Sequence, residues 1–224
     1  MFNRGPLIAF QNTQYRLLWS ASLFSILSFF MVIVARGWLI LELTDSPFMV
    51  TAINAVPMLP MLVLSPIGGV IADRFSRRLI LMAGDLLNGA VLLALALLIL
   101  AGDVQVWQVF VLSFLHGVVF STTMPARMAA VPDLVEPRYM ASGIAMFTTI
   151  FSTAQLAGPA PAGFLIEAYG MGPTFLVASS LLIPALTLLL FLDIPRRGSP
   201  DDQPARGSFF ANIGAALVYV RGRP

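Results

Sequence analysis

The sequence predicts an all-α, polytopic membrane protein of six transmembrane helices, on three observations. Of its 224 residues, 58% are hydrophobic and only 11% charged, with a mean hydropathy of +0.87. A soluble domain carries roughly a quarter charged residues, and this much apolar surface does not fit in one water-surrounded core. Second, apolar runs of about 20 residues, enough to cross ~30 Å of hydrocarbon, recur six times. Third, every one of the thirteen basic residues is an arginine, and twelve lie at alternate ends of those runs.

The runs follow in order. Residues 1–16 are short and polar, with Arg4 and Arg16 and no acid. The first span covers about residues 17–41, and an acidic turn (ELTDSP) leads to the second, about 48–72, which is broken by Pro57, Pro60 and Pro66. Membrane helices tolerate such prolines where neighbours or water satisfy the freed carbonyls. A charged turn precedes the third span, about 79–101, and a short turn the fourth, about 106–124. A longer stretch, PARMAAVPDLVEPRYM, reads as a loop before the fifth span, about 141–166; the sixth covers about 173–192. The domain division is thus 1–192, the helix bundle, and 193–224, a polar Pro-rich cytoplasmic linker followed by a C-terminal amphipathic helix. In that last segment Phe209, Ile213, Leu217 and Val220 recur at helical spacing. It reads either as an interfacial helix or as the start of a seventh span.

The arginines set the orientation. They fall in the N-terminus, the second-to-third turn, the fourth-to-fifth stretch and the tail, while the three alternate turns have none. By the positive-inside rule both ends are expected in the cytoplasm of a cell (inner) membrane protein. The first apolar run is too long for the core of a cleaved signal peptide, and further spans follow it.

Several function classes drop out. Without cysteine there are no disulfides, thiolate metal sites or cysteine nucleophiles in this chain. With a single histidine no metal centre is expected. The basic residues form no stripe with interleaved aromatics, so nucleic acid is not an expected partner. No phosphate-binding loop, acid pair or nucleophile with a base stands at productive spacing, so neither catalytic residues nor a cofactor is expected.

Polar residues inside spans are costly and face a bundle interior or water. Ser22, Ser25 and Arg36 share a face of the first span, and Asn54, Met58, Met61 and Ser65 one of the second. Ser113, His116, Phe120 and Thr123 line the fourth, with Arg127 extending the stripe; Thr148, Ser152, Gln155 and Pro159 line the fifth. The third has only Asp85 and Asn88. Spans one, two, four and five are therefore expected around a cavity, with three and six peripheral. The stripes either line a solvated path or hydrogen-bond across helices. Candidate cavity or coupling residues are Arg36, Asn54, Asp85, Ser113, His116 and Gln155. Arg36 lies well inside its span, where a central arginine costs ~2.5–3.5 kcal/mol on insertion scales. It either snorkels toward Glu42 or pairs inside a cavity with a carboxylate or an anionic substrate. His116 is either a hydrogen-bonded interior histidine or a group that changes charge near neutral pH.

The charged turn carries a family resemblance. Gly69-x-x-Ala72-Asp73-Arg74-x-x-Arg77-Arg78 resembles motif A of the major facilitator superfamily, with Ser76 in place of its usual second glycine. Gly158-Pro159-Ala160-Pro161-Ala162-Gly163 resembles the antiporter motif C in part, and Pro125, Arg127, Pro132 and Asp133 resemble the fourth-to-fifth loop of the siderophore and macrolide efflux branch. Motif B is missing, since Ser113 stands where its arginine would. The resemblance implies a 3+3 inverted repeat forming the N-terminal half of a transporter, with substrate bound between two halves. It also implies that Gly69, Asp73, Arg74, Arg77 and Arg78 form half of a conformational gate. Bottom-up, Asp73 complements a helix N-terminus, and Arg77 and Arg78 can meet lipid phosphates.

The expected function is secondary active, ion-gradient-driven export of a small amphipathic compound of drug or siderophore class, by a truncated or half transporter. The alternative is a non-transporting membrane protein, either an inactive fragment or an assembly partner. Expected partners are the lipid bilayer, a small-molecule substrate, and a second six-helix half or a second copy of the chain.

Overall fold

The computed structural model describes residues 6–64 and 75–194. Among them there is no strand, and six helices are long and apolar enough to span a membrane. They are α1 (Thr13–Thr44), α2 (Pro47–Leu64), α3 (Arg77–Ala101), α4 (Val106–Leu134), α5 (Pro137–Tyr169) and α6 (Met171–Leu190). Gly69, Asp73, Arg74, Ser65 and the expected C-terminal amphipathic helix lie outside the described residues.

Two apolar clusters run through the bundle and show how the helices alternate. One gathers Leu18 of α1, Leu81 of α3, Ala130 of α4, Phe147 of α5 and Leu189 of α6. The other gathers Leu39 of α1, Ile53 of α2, Leu95 of α3, Val109 of α4 and Phe175 of α6. Early residues of α1 and α3 thus meet late residues of α4 and α6, so α1 and α3 run antiparallel to α4 and α6. The first cluster lies toward the N-terminal end of α1, the second toward the α1–α2 turn.

Local chemistry sets the helix ends. Asn12 caps α1 by accepting from the Gln14 amide at 2.8 Å, and its own side-chain amide donates to the Leu134 carbonyl at 2.7 Å. One residue thereby ties the entry of α1 to the exit of α4. Ser76, the departure from motif A, caps α3 through the Leu79 amide at 3.3 Å. Breaks occur at Val56–Pro57 in α2 and at Gly158–Pro159 in α5, where proline has no amide to donate. Both fall in the second helix of a group of three.

The structure corrects one expectation. The stretch after Met124 is not a loop: α4 continues unbroken through Pro125 and Pro132 to Leu134. Burial of Ala126, Ala130, Val131 and Leu134 against α1 and its neighbours outweighs the local cost of two prolines. Within the six helices, α3 and α6 are not loosely attached. They pack on each other, with Ser179 donating to the Gly89 carbonyl at 3.0 Å, whereas α2 and α5 are the least buried spans of this bundle. The polar side of α5 simply has no helix of these six across from it.

Candidate functional site

Two polar clusters sit on the seam between α1, α3 and α4, at different depths. The deeper-packed one centres on Arg127 and Asp85, which form an ion pair at 2.5 Å. Arg127 also donates to Ser22 Oγ at 3.1 Å, and Ser25 Oγ donates to the other carboxylate oxygen at 2.8 Å. Arg127, Asp85 and Ser22 are all buried. A charge-assisted pair with hydroxyls on its remaining sites is the arrangement that low-dielectric surroundings demand. Asn88, nearly one turn further along α3, is buried and its Oδ1 has no partner.

Arg127, read from sequence as a loop residue extending the stripe of the fourth span, lies inside α4 and is buried. Its pairing with Asp85 was not anticipated. The available signal was that both are charges placed inside membrane-length helices, where each must find a partner. Ser22 and Ser25 do share their face with Arg36, but the ~21 Å that 14 residues span along a helix puts them in separate clusters.

The second cluster lies toward the α1–α2 turn. Arg36 is only 3% exposed, so it does not snorkel toward Glu42. Its Nη2 donates to Asn54 Oδ1 of α2 at 3.2 Å, and its Nε has no partner. Ser113 and His116 of α4 are buried beside it, and Ser113 Oγ has no partner either. These side chains line one small half-open cleft with Val32, Leu92 and Leu95. His116 stands 5.5 Å from the Phe29 ring, which itself stacks on Phe120 at 4.3 Å.

At the charged turn, Arg77 ion-pairs with Asp133 and donates to the Ala129 carbonyl, bridging the start of α3 to the end of α4. Arg78 donates to the Leu190 carbonyl at 2.5 Å, at the C-terminal end of α6 where a cation complements the helix dipole. Both arginines thus engage neighbouring helices, where the sequence reading had offered lipid phosphates. The two family-like segments are joined here, since Asp133 belongs to the α4 stretch and Arg77 to motif A. Pro132 lies half-buried beside Asp133 in that last turn of α4.

On α5, Thr148, Ser152 and Gln155 are exposed along one side. The motif C-like glycines separate into two roles. A Cβ on Gly158 would come within 2.7 Å of Phe30 Cβ and 3.3 Å of the Met31 amide nitrogen, so this glycine lets α5 lie directly against α1. Gly163 has nothing within 4 Å of that position. A third glycine, Gly117 of α4, packs on the Pro57 backbone of α2, where a Cβ would come within 2.6 Å. It was not singled out for this contact from the sequence. No group of three or more acidic or histidine side chains able to hold a metal occurs among the described residues.

Comparisons with known proteins agree with this architecture. The family described as "Transmembrane secretion effector" matches residues 4–223. The Uncharacterized MFS-type transporter YfiS of Bacillus subtilis is 24% identical over 98% of this chain and 52% of its own length. The Staphyloferrin A transporter of Staphylococcus aureus is 24% identical over 85% of this chain and 48% of its own. The Multidrug efflux pump Tap of Mycolicibacterium fortuitum is 26% identical over 84% and 47%. The chain spans about half the length of the curated relatives it matches. With six membrane-length helices, a motif A turn and a family match over nearly its whole length, the chain belongs to the transmembrane secretion effector family of major facilitator superfamily transporters.

Proposed function

We propose that this six-helix chain is one half of a secondary transporter that exports small amphipathic compounds of drug or siderophore class. An ion gradient drives it, both ends of the chain lie in the cytoplasm, and a second six-helix half or a second copy completes the substrate path. The observation that supports this is the polar side of α5, where Thr148, Ser152 and Gln155 are exposed although the helix is of membrane length. Thr148 satisfies its hydroxyl on the Ala145 carbonyl at 2.7 Å, but an amide such as that of Gln155 is unfavourable facing hydrocarbon, whereas facing a solvated path it is satisfied by water. The relative named a multidrug efflux pump supports export of a drug-class compound, and the one named a Staphyloferrin A transporter supports the siderophore class.

In this reading the Arg77–Asp133 bridge is one side of a gate. Asp73 and Arg74, beside it in sequence, bear on the second half in one of two conformations. Asp73→Asn then reduces transport while leaving membrane insertion intact. The test is efflux of cationic, neutral and anionic amphipathic dyes from preloaded intact cells, with and without a co-expressed second six-helix chain. Efflux that an uncoupler abolishes supports the reading. Absence of efflux in both settings favours the other class, a non-transporting assembly partner or fragment.

A further inference from the structure

We infer that Asp85 is a reversible proton site in the folded chain, loaded through the Ser25 hydroxyl of α1. The site stands on the geometry of the seam; in naming the proton as the driving ion it rests on the transport reading above.

The decisive feature is a hydroxyl with two acceptors. Ser25 Oγ lies 2.8 Å from Asp85 Oδ2 and 3.0 Å from the Ala21 carbonyl oxygen. A hydroxyl has one hydrogen and spare lone pairs, so it serves one acceptor well at a time. With Asp85 ionised, that hydrogen points at the carboxylate. With Asp85 neutral, it turns to the Ala21 carbonyl, and Ser25 Oγ accepts from the acid proton on Oδ2. The hydroxyl and the carboxyl group are bonded to each other in both states, which a buried acid needs if both are to persist. On the other side, Arg127 keeps the Ser22 hydroxyl at 3.1 Å when the carboxylate is neutralised. Asn88 Oδ1, nearly one turn from Asp85 on α3, is buried with no donor and offers the guanidinium an unfilled acceptor.

Loading requires only a proton passed across one hydroxyl. Asp85 is 1% exposed, whereas Ser25 is half-buried. A proton arriving on Ser25 Oγ sends that hydroxyl's own hydrogen to Oδ2, which restores the serine and neutralises the acid; release runs in reverse. A metal cation would have to evict the guanidinium and gather several oxygens, whereas a proton takes one lone pair. The surrounding helices bring few competing groups. α2 and α6 carry no ionisable side chain over their spans, α1 none between Arg16 and Arg36, α5 none between Tyr139 and Glu167, and α3 none beyond Asp85. On α4, Asp133 is engaged by Arg77, and His116 stands ~16 Å along the helix from Arg127. Proton uptake at Asp85 therefore removes the charge that ties α3 to α4.

The test is infrared spectroscopy of the purified chain in lipid nanodiscs as pH is lowered, with near-UV circular dichroism following the fold at each step. A carboxylic-acid carbonyl band is expected to rise and fall reversibly while the near-UV signal stays constant. It is expected to be lost from the Asp85→Asn/Arg127→Gln double variant, which strands no charge. Ser25→Ala, a milder change, leaves the neutral acid without its acceptor; its band is expected to shift in frequency and to exchange more slowly into heavy water. A band that appears only as the near-UV signal collapses makes the pair purely structural and overturns the proposal. A band that survives in the double variant overturns the assignment to Asp85. Unchanged frequency and exchange in Ser25→Ala overturn the route through the hydroxyl. None of these readouts requires transport. A chain that exports dye but gives no Asp85 band refutes this site alone, and one that gives the band but never exports refutes only the transport reading.

Discussion

Arg127 of α4 and Asp85 of α3 meet at 2.5 Å inside the bundle, exposed by only 3% and 1%. Ser22 and Ser25 of α1 bond to the two partners from the third side, so one charge pair joins three helices. Removing one member leaves the other charged and buried, at a cost of about 3–5 kcal/mol. Asp85→Asn and Arg127→Gln are each expected to destabilise by that order. The double variant should lose clearly less than the sum, because neither charge is then stranded. Chemical unfolding in mixed micelles measures the cycle; strict additivity would mean that the pair contributes nothing as a pair.

The glycines provide a second contrast. At Gly117 a methyl group would meet the Cα and carbonyl oxygen of Pro57, backbone atoms that have no rotamer to change. Gly117→Ala is therefore expected to push α2 from α4 and cost roughly 1–3 kcal/mol. Gly158→Ala meets Phe30 and the Met31 backbone on α1 and should cost a similar amount. At Gly163 the space is open, and alanine gains up to about 1 kcal/mol of helix propensity. Gly163→Ala should be neutral or stabilising, as read from the melting temperatures of the three purified variants.

Arg77 separates charge from geometry. It reaches both the Asp133 carboxylate and the Ala129 carbonyl, which a planar fork can do and a single ammonium does less well. Arg77→Lys keeps the positive charge that orientation needs. It is expected to insert normally, to lose about 1–2 kcal/mol, and to speed proteolytic cleavage near the start of α3. Unchanged cleavage with unchanged stability would reduce Arg77 to a topological charge.

The α5 stripe is open to direct labelling, because the chain has no cysteine and each introduced thiol reports alone. Ser152→Cys and Gln155→Cys are expected to react with a water-soluble maleimide in membranes. Ile183→Cys, at a 64% exposed apolar position on α6, should stay unreactive until detergent is added. Equal protection of all three would place the stripe in lipid.

Much of the architecture was legible along the chain. Hydrocarbon thickness is a constraint on run length, and arginine placement is a constraint on alternate turns, so both can be counted without knowing any contact. Arg36, Asp85 and His116 were recognisable as costly residues for the same reason. The end of α4 was not legible. Pro125 and Pro132 are local stop signals, and they were overridden by burial of Ala126, Ala130, Val131 and Leu134 that only the packed bundle supplies. The two roles of Gly158 and Gly163 were likewise hidden, since both stand in one motif-like segment and, among the described residues, only the first meets a neighbour.

By itself, then, the sequence determined a six-span helical membrane protein, the motif A turn from Gly69 to Arg78, and which side chains are expensive to bury. Tertiary structure alone decided which of those side chains compensate one another. Arg127 found Asp85, Arg77 found Asp133, and Arg36, among the described residues, found only Asn54. The reason is physical. Depth in a bilayer is set by position along the chain, whereas partnership across helices is set by rotation and register, which no single span encodes.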